Sequence, residues 1–216
     1  MSKNNLSKGL NIVLIMCVLV LLIMLKYNKG DVETNITKNA RNTTIETIHE
    51  RKSVRNYTDK KIAREQLEII VKAGMAAPTA VNKQPWAFII IDERETLDEL
   101  GEVLPYAKMI KKASSAIVVC GDMNKALDGE GQQFWIQDCS AATQNILLAV
   151  ESMGLGAVWT AAYPSEERIK SVSDILELPE HIVPLNVIPV GYPVGTDKPK
   201  DKWKPENLHW QKWINK

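Results

Sequence analysis

The sequence predicts an α+β or α/β domain in which one sheet is covered by helices. Helical patterns recur at residues 44–50, 64–76, 96–103 and 131–153. Apolar runs of strand length fall singly between or after them, at 86–92, 115–120, 155–161 and 183–190. With 216 residues, 45% of them hydrophobic, the chain suits one sizeable core.

Taken in order, residues 10–25 are apolar except for Asn11, with Lys3 and Lys8 before them and Lys26 and Lys29 after. A helix of that length rises about 24 Å, just short of the ~30 Å hydrocarbon core. Snorkelling lysines and Tyr27 at the interface would make good the difference. Residues 1–27 are therefore read as an uncleaved single-pass anchor. A cleaved signal peptide is the competing reading, but no small-x-small site follows the apolar run. Lys26, Lys29, Lys38 and Arg41 outnumber the lysines on the other side; the counts do not settle the orientation but lean towards a cytoplasmic folded domain. Residues 28–43 are polar and read as a flexible tether, leaving 44–216 as the folded domain.

Within that domain, the helix at 44–50 delivers Arg51. The helix at 64–76 sets Leu67, Ile70, Val71 and Gly74 on one side. Pro78 and Pro85 bracket the next loop and stop both neighbours from extending into it. The strand from Trp86 and the strand ending at Cys120 are continuous apolar runs, as buried strands should be. Residues 131–153 are apolar nearly all round and predict a central, buried helix. A strand at 155–161 follows. Ser165 is then a helix N-cap with Glu166 and Glu167 in the first turn. Pro184 and Pro189 make the last strand short or an edge.

Composition excludes several classes. A net charge of +1 argues against a general nucleic-acid binder. Cys17, Cys120 and Cys139 have no metal-ligand spacing, and no metal site is expected. The three histidines, His49, His181 and His209, are scattered and read as structural or exposed.

Two segments carry chemistry. Arg51-Lys52-Ser53-Val54-Arg55 gathers three cations and a hydroxyl in five residues. Such a knot faces water or holds an anion, and phosphate suits guanidinium forks beside a neutral donor. The second is the loop Ala77-Pro78-Thr79-Ala80-Val81-Asn82-Lys83-Gln84-Pro85-Trp86. Rigid, with Thr, Asn and Gln groups, it either meets the needs of a planar heterocycle with carbonyl and imide edges or is a proline-stiffened connection whose polar groups satisfy its own backbone.

Together these residues, with Tyr57, resemble the nitroreductase family of FMN-dependent oxidoreductases. Gly154-Leu155-Gly156-Ala157-Val158-Trp159-Thr160 after a long helix, Pro189-Val190-Gly191-Tyr192-Pro193, and a basic tail with Trp210 and Trp213 agree in order. The resemblance runs from about Thr44 to the end. It implies an α+β fold with a mixed sheet flanked by helices, paired as a homodimer with FMN at the subunit interface. The Trp-rich tail would then be an arm around the partner.

Carried over by position, Arg51, Ser53 and Arg55 would hold the FMN phosphate and ribityl chain, with Lys52 nearby. Asn82 would bond the ring, and Pro78, Thr79, Ala80 and Gln84 would touch it from the other subunit. Trp159, Thr160 and Ala161 would run along the flavin, with Pro189 and Gly191 on the opposite wall. The family's tail usually offers an Arg to the phosphate; here Lys202 or Lys204 stands in. Ala161 occupies the position where the halogen-removing branch has a hydroxyl, which weakens a deiodinase reading.

The function implied is ping-pong transfer of hydride from NADH or NADPH through FMN to nitroaromatics, quinones or similar small-molecule electrophiles. The flavin carries the chemistry and no catalytic acid–base pair is required. Reductive dehalogenation or flavin-consuming oxidation on the same fold is an alternative, as is a flavin-binding module without turnover.

Overall fold

The computed structural model describes residues 44–213 and, in isolation, Met16. The chain divides into two units, Met1–Ile45 and Glu46–Lys216, and the second carries the fold. Among the described residues no helix is long and apolar enough to cross a membrane. That corrects the expected membrane-anchored localisation with a cytoplasmic catalytic domain. The stretch 10–25 behind the expectation lies, Met16 apart, outside the described residues.

The elements are helix α1 (Thr44–Glu50), helix α2 (Arg64–Met75), strand β1 (Trp86–Ile91), helix α3 (Arg94–Val103), strand β2 (Ser115–Asp122), helix α4 (Phe134–Ser152), short strands β3 (Gly156–Ala157) and β4 (Thr160–Ala161), helix α5 (Glu166–Ile175) and strand β5 (Ile182–Gly191). The sheet order is β1-β2-β5-β3, with β4 also on β5. Every pairing of named strands is antiparallel, and a parallel bridge from Ser53 to Ala157 makes the sheet mixed.

Strand β2 shows why the sheet sits between helices. It is buried along its whole length, and its side chains alternate between two cores. Ile117 and Val119 join Leu67 and Ile70 of α2 and Ile146 and Leu147 of α4. Ala116, Val118 and Cys120 join Leu97 and Leu100 of α3 and Val172 of α5. Helices α2 and α4 press together at Gly74, where a Cβ would stand 2.9 Å from Ile146. Ser165 caps α5 by accepting from the backbone N–H of Arg168.

Three details differ from the sequence expectation. Gly129–Gln133 forms a 3₁₀ turn, so α4 starts only at Phe134. It buries one stripe, from Trp135 through Ile146 to Val150, and leaves Phe134 43% exposed. Strand β5 is neither short nor an edge: it spans Ile182–Gly191 at the centre of the sheet. Its prolines sit where the ladder is already irregular. Pro184 lies at the β-bulge where the β2 register slips between Val119 and Cys120. Pro189 falls, by register, opposite Val158, in the break between β3 and β4. A proline has no N–H to offer across that gap, so the expected strand 155–161 is split in two.

Candidate active site

Two inward residues, Val54 and Tyr57, fix the segment from Arg51 to Tyr57. Val54 is fully buried and Tyr57 nearly so. The Val54 amide donates to Ala157 O at 2.9 Å, and the Thr58 amide donates to Tyr192 O at 2.8 Å. The Tyr57 hydroxyl donates to Val54 O at 2.7 Å, closing the segment on itself. Burial, with the charge of Asp197 adding to it, pushes the Tyr57 hydroxyl pKa well up, so it stays a donor.

With Val54 and Tyr57 turned inward, Arg51, Ser53 and Arg55 line a cleft of about 430 Å³. Its other walls are Lys52 and the returning chain, with Thr196, Asp197, Lys198, Lys200 and Lys202. Of its six cations only Lys52 is in an ion pair among the described residues, at 2.6 Å from Glu151 of α4. The remaining positive charge is uncompensated apart from Asp197. Among the described residues the buried Asp197 Oδ2 has no hydrogen-bond partner.

A second cleft, of about 280 Å³, shares Arg55 with the first. Its lining includes Val158, Trp159, Thr160 and Ala161, the stretch where β3 gives way to β4, and residues 104–107 beyond α3. The Thr160 hydroxyl donates to Val187 O, so its side chain faces the sheet. Arg168 reaches back from α5 to donate to Ala161 O at 3.3 Å, and its guanidinium stands 5.7 Å from the centre of the Tyr106 ring.

The loop from Pro78 to Gln84 is locally strained. Val81, Asn82 and Gln84 have φ of 42°, 58° and 50°, a region that β-branched valine rarely enters. Side chains hold it there. The Gln84 amide donates to Thr79 Oγ1 at 3.1 Å, Gln84 Nε2 donates to Asn82 Oδ1 at 3.1 Å, and the Ala80 amide donates to Asp138 Oδ1 of α4 at 2.9 Å.

The structure thus brings Arg51, Lys52, Ser53, Arg55 and Lys202 to one cleft, and Trp159, Thr160 and Ala161 to its neighbour. Pro78, Thr79, Ala80, Asn82 and Gln84 line neither of these clefts. Lys204 is exposed and lines neither. Pro189 and Gly191, expected on the ring's opposite wall, are buried instead. Pro189 O accepts from the Tyr57 hydroxyl at 3.3 Å, and Gly191 lies against the Tyr57 ring.

Sequence reasoning missed Lys198, Lys200 and Asp197 in the first cleft, and Tyr106 and Arg168 in the second. For the lysines a signal existed: Lys198, Lys200 and Lys202 alternate, which in extended chain puts them on one side.

The nitroreductase family model matches residues 48–105 and 100–192. A Methanothermobacter thermautotrophicus protein, provisionally named NADH dehydrogenase/NAD(P)H nitroreductase, is 44% identical over 170 residues, covering 78% of this chain and 87% of its own. A crystal structure from Parabacteroides distasonis with the same provisional name superposes with a TM-score of 0.75 at 51% identity, covering 80% of this chain and all of the other. An FMN-dependent nitroreductase from Clostridium difficile superposes at 0.72 with 26% identity, covering 78% of this chain and 99% of its own.

Proposed function

The chain belongs to the nitroreductase family of NAD(P)H-dependent oxidoreductases, and from that premise we propose that it binds FMN and reduces small electrophiles such as nitroaromatics and quinones. The observation that carries the reading is the cationic cleft of Arg51, Ser53, Arg55, Lys200 and Lys202, which meets the Val158–Ala161 cleft at Arg55. The residues fit the group. Guanidinium and ammonium donors suit a phosphate, and the adjoining floor has apolar and aromatic side chains for a flat ring.

Arg51, Ser53, Lys200 and Lys202 hold the phosphate in this reading. Arg55, common to both clefts, puts positive charge where the ring's pyrimidine edge would carry negative charge in the reduced form. The backbone of Trp159–Ala161 lies alongside the ring. Bound there, FMN supplies a two-electron carrier between nicotinamide and acceptor. With the ring seated against Val158–Ala161, nicotinamide and acceptor would use its one open face in turn, which gives ping-pong kinetics.

A homodimer belongs to the same proposal. Trp203, Trp210 and Trp213 are 69%, 71% and 78% exposed on the single chain, and apolar surface of that size calls for cover. Docked as an arm on a second copy, they would leave each site to be completed by Asn82 and its neighbours from the partner.

The test is the absorption spectrum of the purified protein before and after anaerobic NADPH, followed by a nitroaromatic. The expected sequence is a yellow protein, bleaching, and return of colour. A protein that stays colourless after incubation with excess FMN would overturn the proposal.

A further inference from the structure

We propose that Arg168 is a specificity-determining residue that selects acceptors with an anionic substituent, so that the substrates of the second cleft are electrophilic aromatic acids. This rests on the FMN reading and deepens it by naming the class of acceptor. The lining of that cleft includes two guanidinium groups, Arg55 and Arg168, and no acidic side chain. Arg55 also lines the cationic cleft and there serves the flavin, whereas Arg168 lines only the second cleft. Its charge is therefore left for the other reactant.

Helix stability does not explain a cation at this position. Arg168 stands in the first turn of α5, where the dipole favours acids, and Glu166 and Glu167 already supply them. The guanidinium instead turns back towards the cleft, donating to Ala161 O at 3.3 Å and standing 5.7 Å from the centre of the Tyr106 ring. Neither partner is charged, and among the described residues Arg168 is in no ion pair. A guanidinium has five N–H donors in a fixed fork, so with one of them on Ala161 O it can still grip a carboxylate. Tyr106 and Trp159 line the same cleft and are exposed, which puts aromatic surface at its mouth. An acceptor lying on the open face of the flavin ring would set its own ring against this surface and turn its carboxylate to Arg168.

The nicotinamide donor also carries anions, in its pyrophosphate, and ping-pong kinetics separate the two: kcat/KM for the donor reports one half-reaction and that for the acceptor the other. The experiment compares flavin-loaded wild type, R168Q and R168K on 4-nitrobenzoate and its uncharged methyl ester, with NADPH as donor. Calorimetry on the oxidised protein measures binding of benzoate, which is not reduced. In R168Q the acid-over-ester ratio of kcat/KM falls about tenfold, as loss of a charge-assisted hydrogen bond should produce. Benzoate weakens by about the same factor, and kcat/KM for NADPH falls less than that for the acid. R168K, which keeps the charge without the fork, recovers part of the ratio.

An unchanged ratio in R168Q, or a flavin-loaded wild type that binds no benzoate, would overturn the inference and leave the FMN reading intact. Equal losses for acid and ester, which a distorted cleft would produce, would overturn it too. A larger loss for NADPH than for the acid would overturn it in favour of the donor's phosphates. Wild type that takes up no flavin would instead remove the FMN reading itself, and this inference with it.

Discussion

Gly191 lies against the ring of Tyr57 so closely that a Cβ added to it would stand 2.6 Å from Tyr57 Cδ1. Gly156 stands in the same relation to Val54, at 2.6 Å from Cγ1. Two glycines on neighbouring strands thus receive the two inward residues of the cationic segment. The chain's anion-binding face is set by these contacts, because Arg51, Ser53 and Arg55 point outward only while Val54 and Tyr57 stay in.

Gly191→Ala should therefore destabilise the domain by about 1–3 kcal/mol, the usual cost of overpacking a closed site. The ring is held by hydrogen bonds of its hydroxyl to Val54 O and Pro189 O, so it cannot simply swing aside. Urea unfolding measures the loss. FMN affinity should fall with it, since Arg55 moves when Tyr57 does. An unchanged midpoint would mean that the strands part more easily than their packing suggests.

Arg51→Ala and Arg55→Ala should each weaken FMN by about 1.5–3 kcal/mol, the range for a hydrogen bond to a charged group. Lys52→Met should behave differently. Its ammonium pairs with Glu151 at 2.6 Å, with the two side chains 22% and 12% exposed, so its loss strands a mostly buried carboxylate. A stability cost of about 1–3 kcal/mol with a lesser effect on FMN is expected. Equilibrium dialysis and thermal unfolding of the three variants separate the roles.

Much of this was legible in the chain, and the exceptions share a cause. The continuous apolar run of β2 announced burial on both faces, and the single apolar residue inside Arg51–Arg55 announced which way its neighbours turn. What could not be read depends on pairs distant in sequence. Lys52 and Glu151 are 99 residues apart. Pro189 marks an edge by local rules, yet it sits mid-sheet because the facing chain breaks at Val158. Asp197 looked like an ordinary acid before a basic run, and only the fold turns its oxygen inward.

Val81→Gly should stabilise the isolated fold by about 1 kcal/mol. The valine is 78% exposed, so little packing is lost, while its φ of 42° holds strain of about 1–3 kcal/mol. Glycine's larger unfolded-state freedom returns part of that gain. The melting temperature should rise by about 2–4 °C. A fall would show that the Val81 side chain makes contacts outweighing its backbone strain.

Alkali should destabilise the protein from about pH 9 upward. Burial pushes the Cys120 thiol up to about 12, and burial with Cys120 and Asp138 nearby pushes Cys139 up as well. An unfolded thiol ionises near 8.5. Above that pH the unfolded chain has released protons that the folded chain still holds, so the free energy of unfolding falls as pH rises. The slope is about 1.4 kcal/mol per pH unit for each thiol, and Tyr57, raised in the same direction, adds to it above about pH 10. Urea titrations at pH 7 to 10 under reducing conditions measure the slope. The Cys120→Ala, Cys139→Ala double variant should start less stable but lose much less between about pH 9 and 10. A double variant with the wild-type slope would assign the alkaline loss to other groups and leave the two thiols without a part in it.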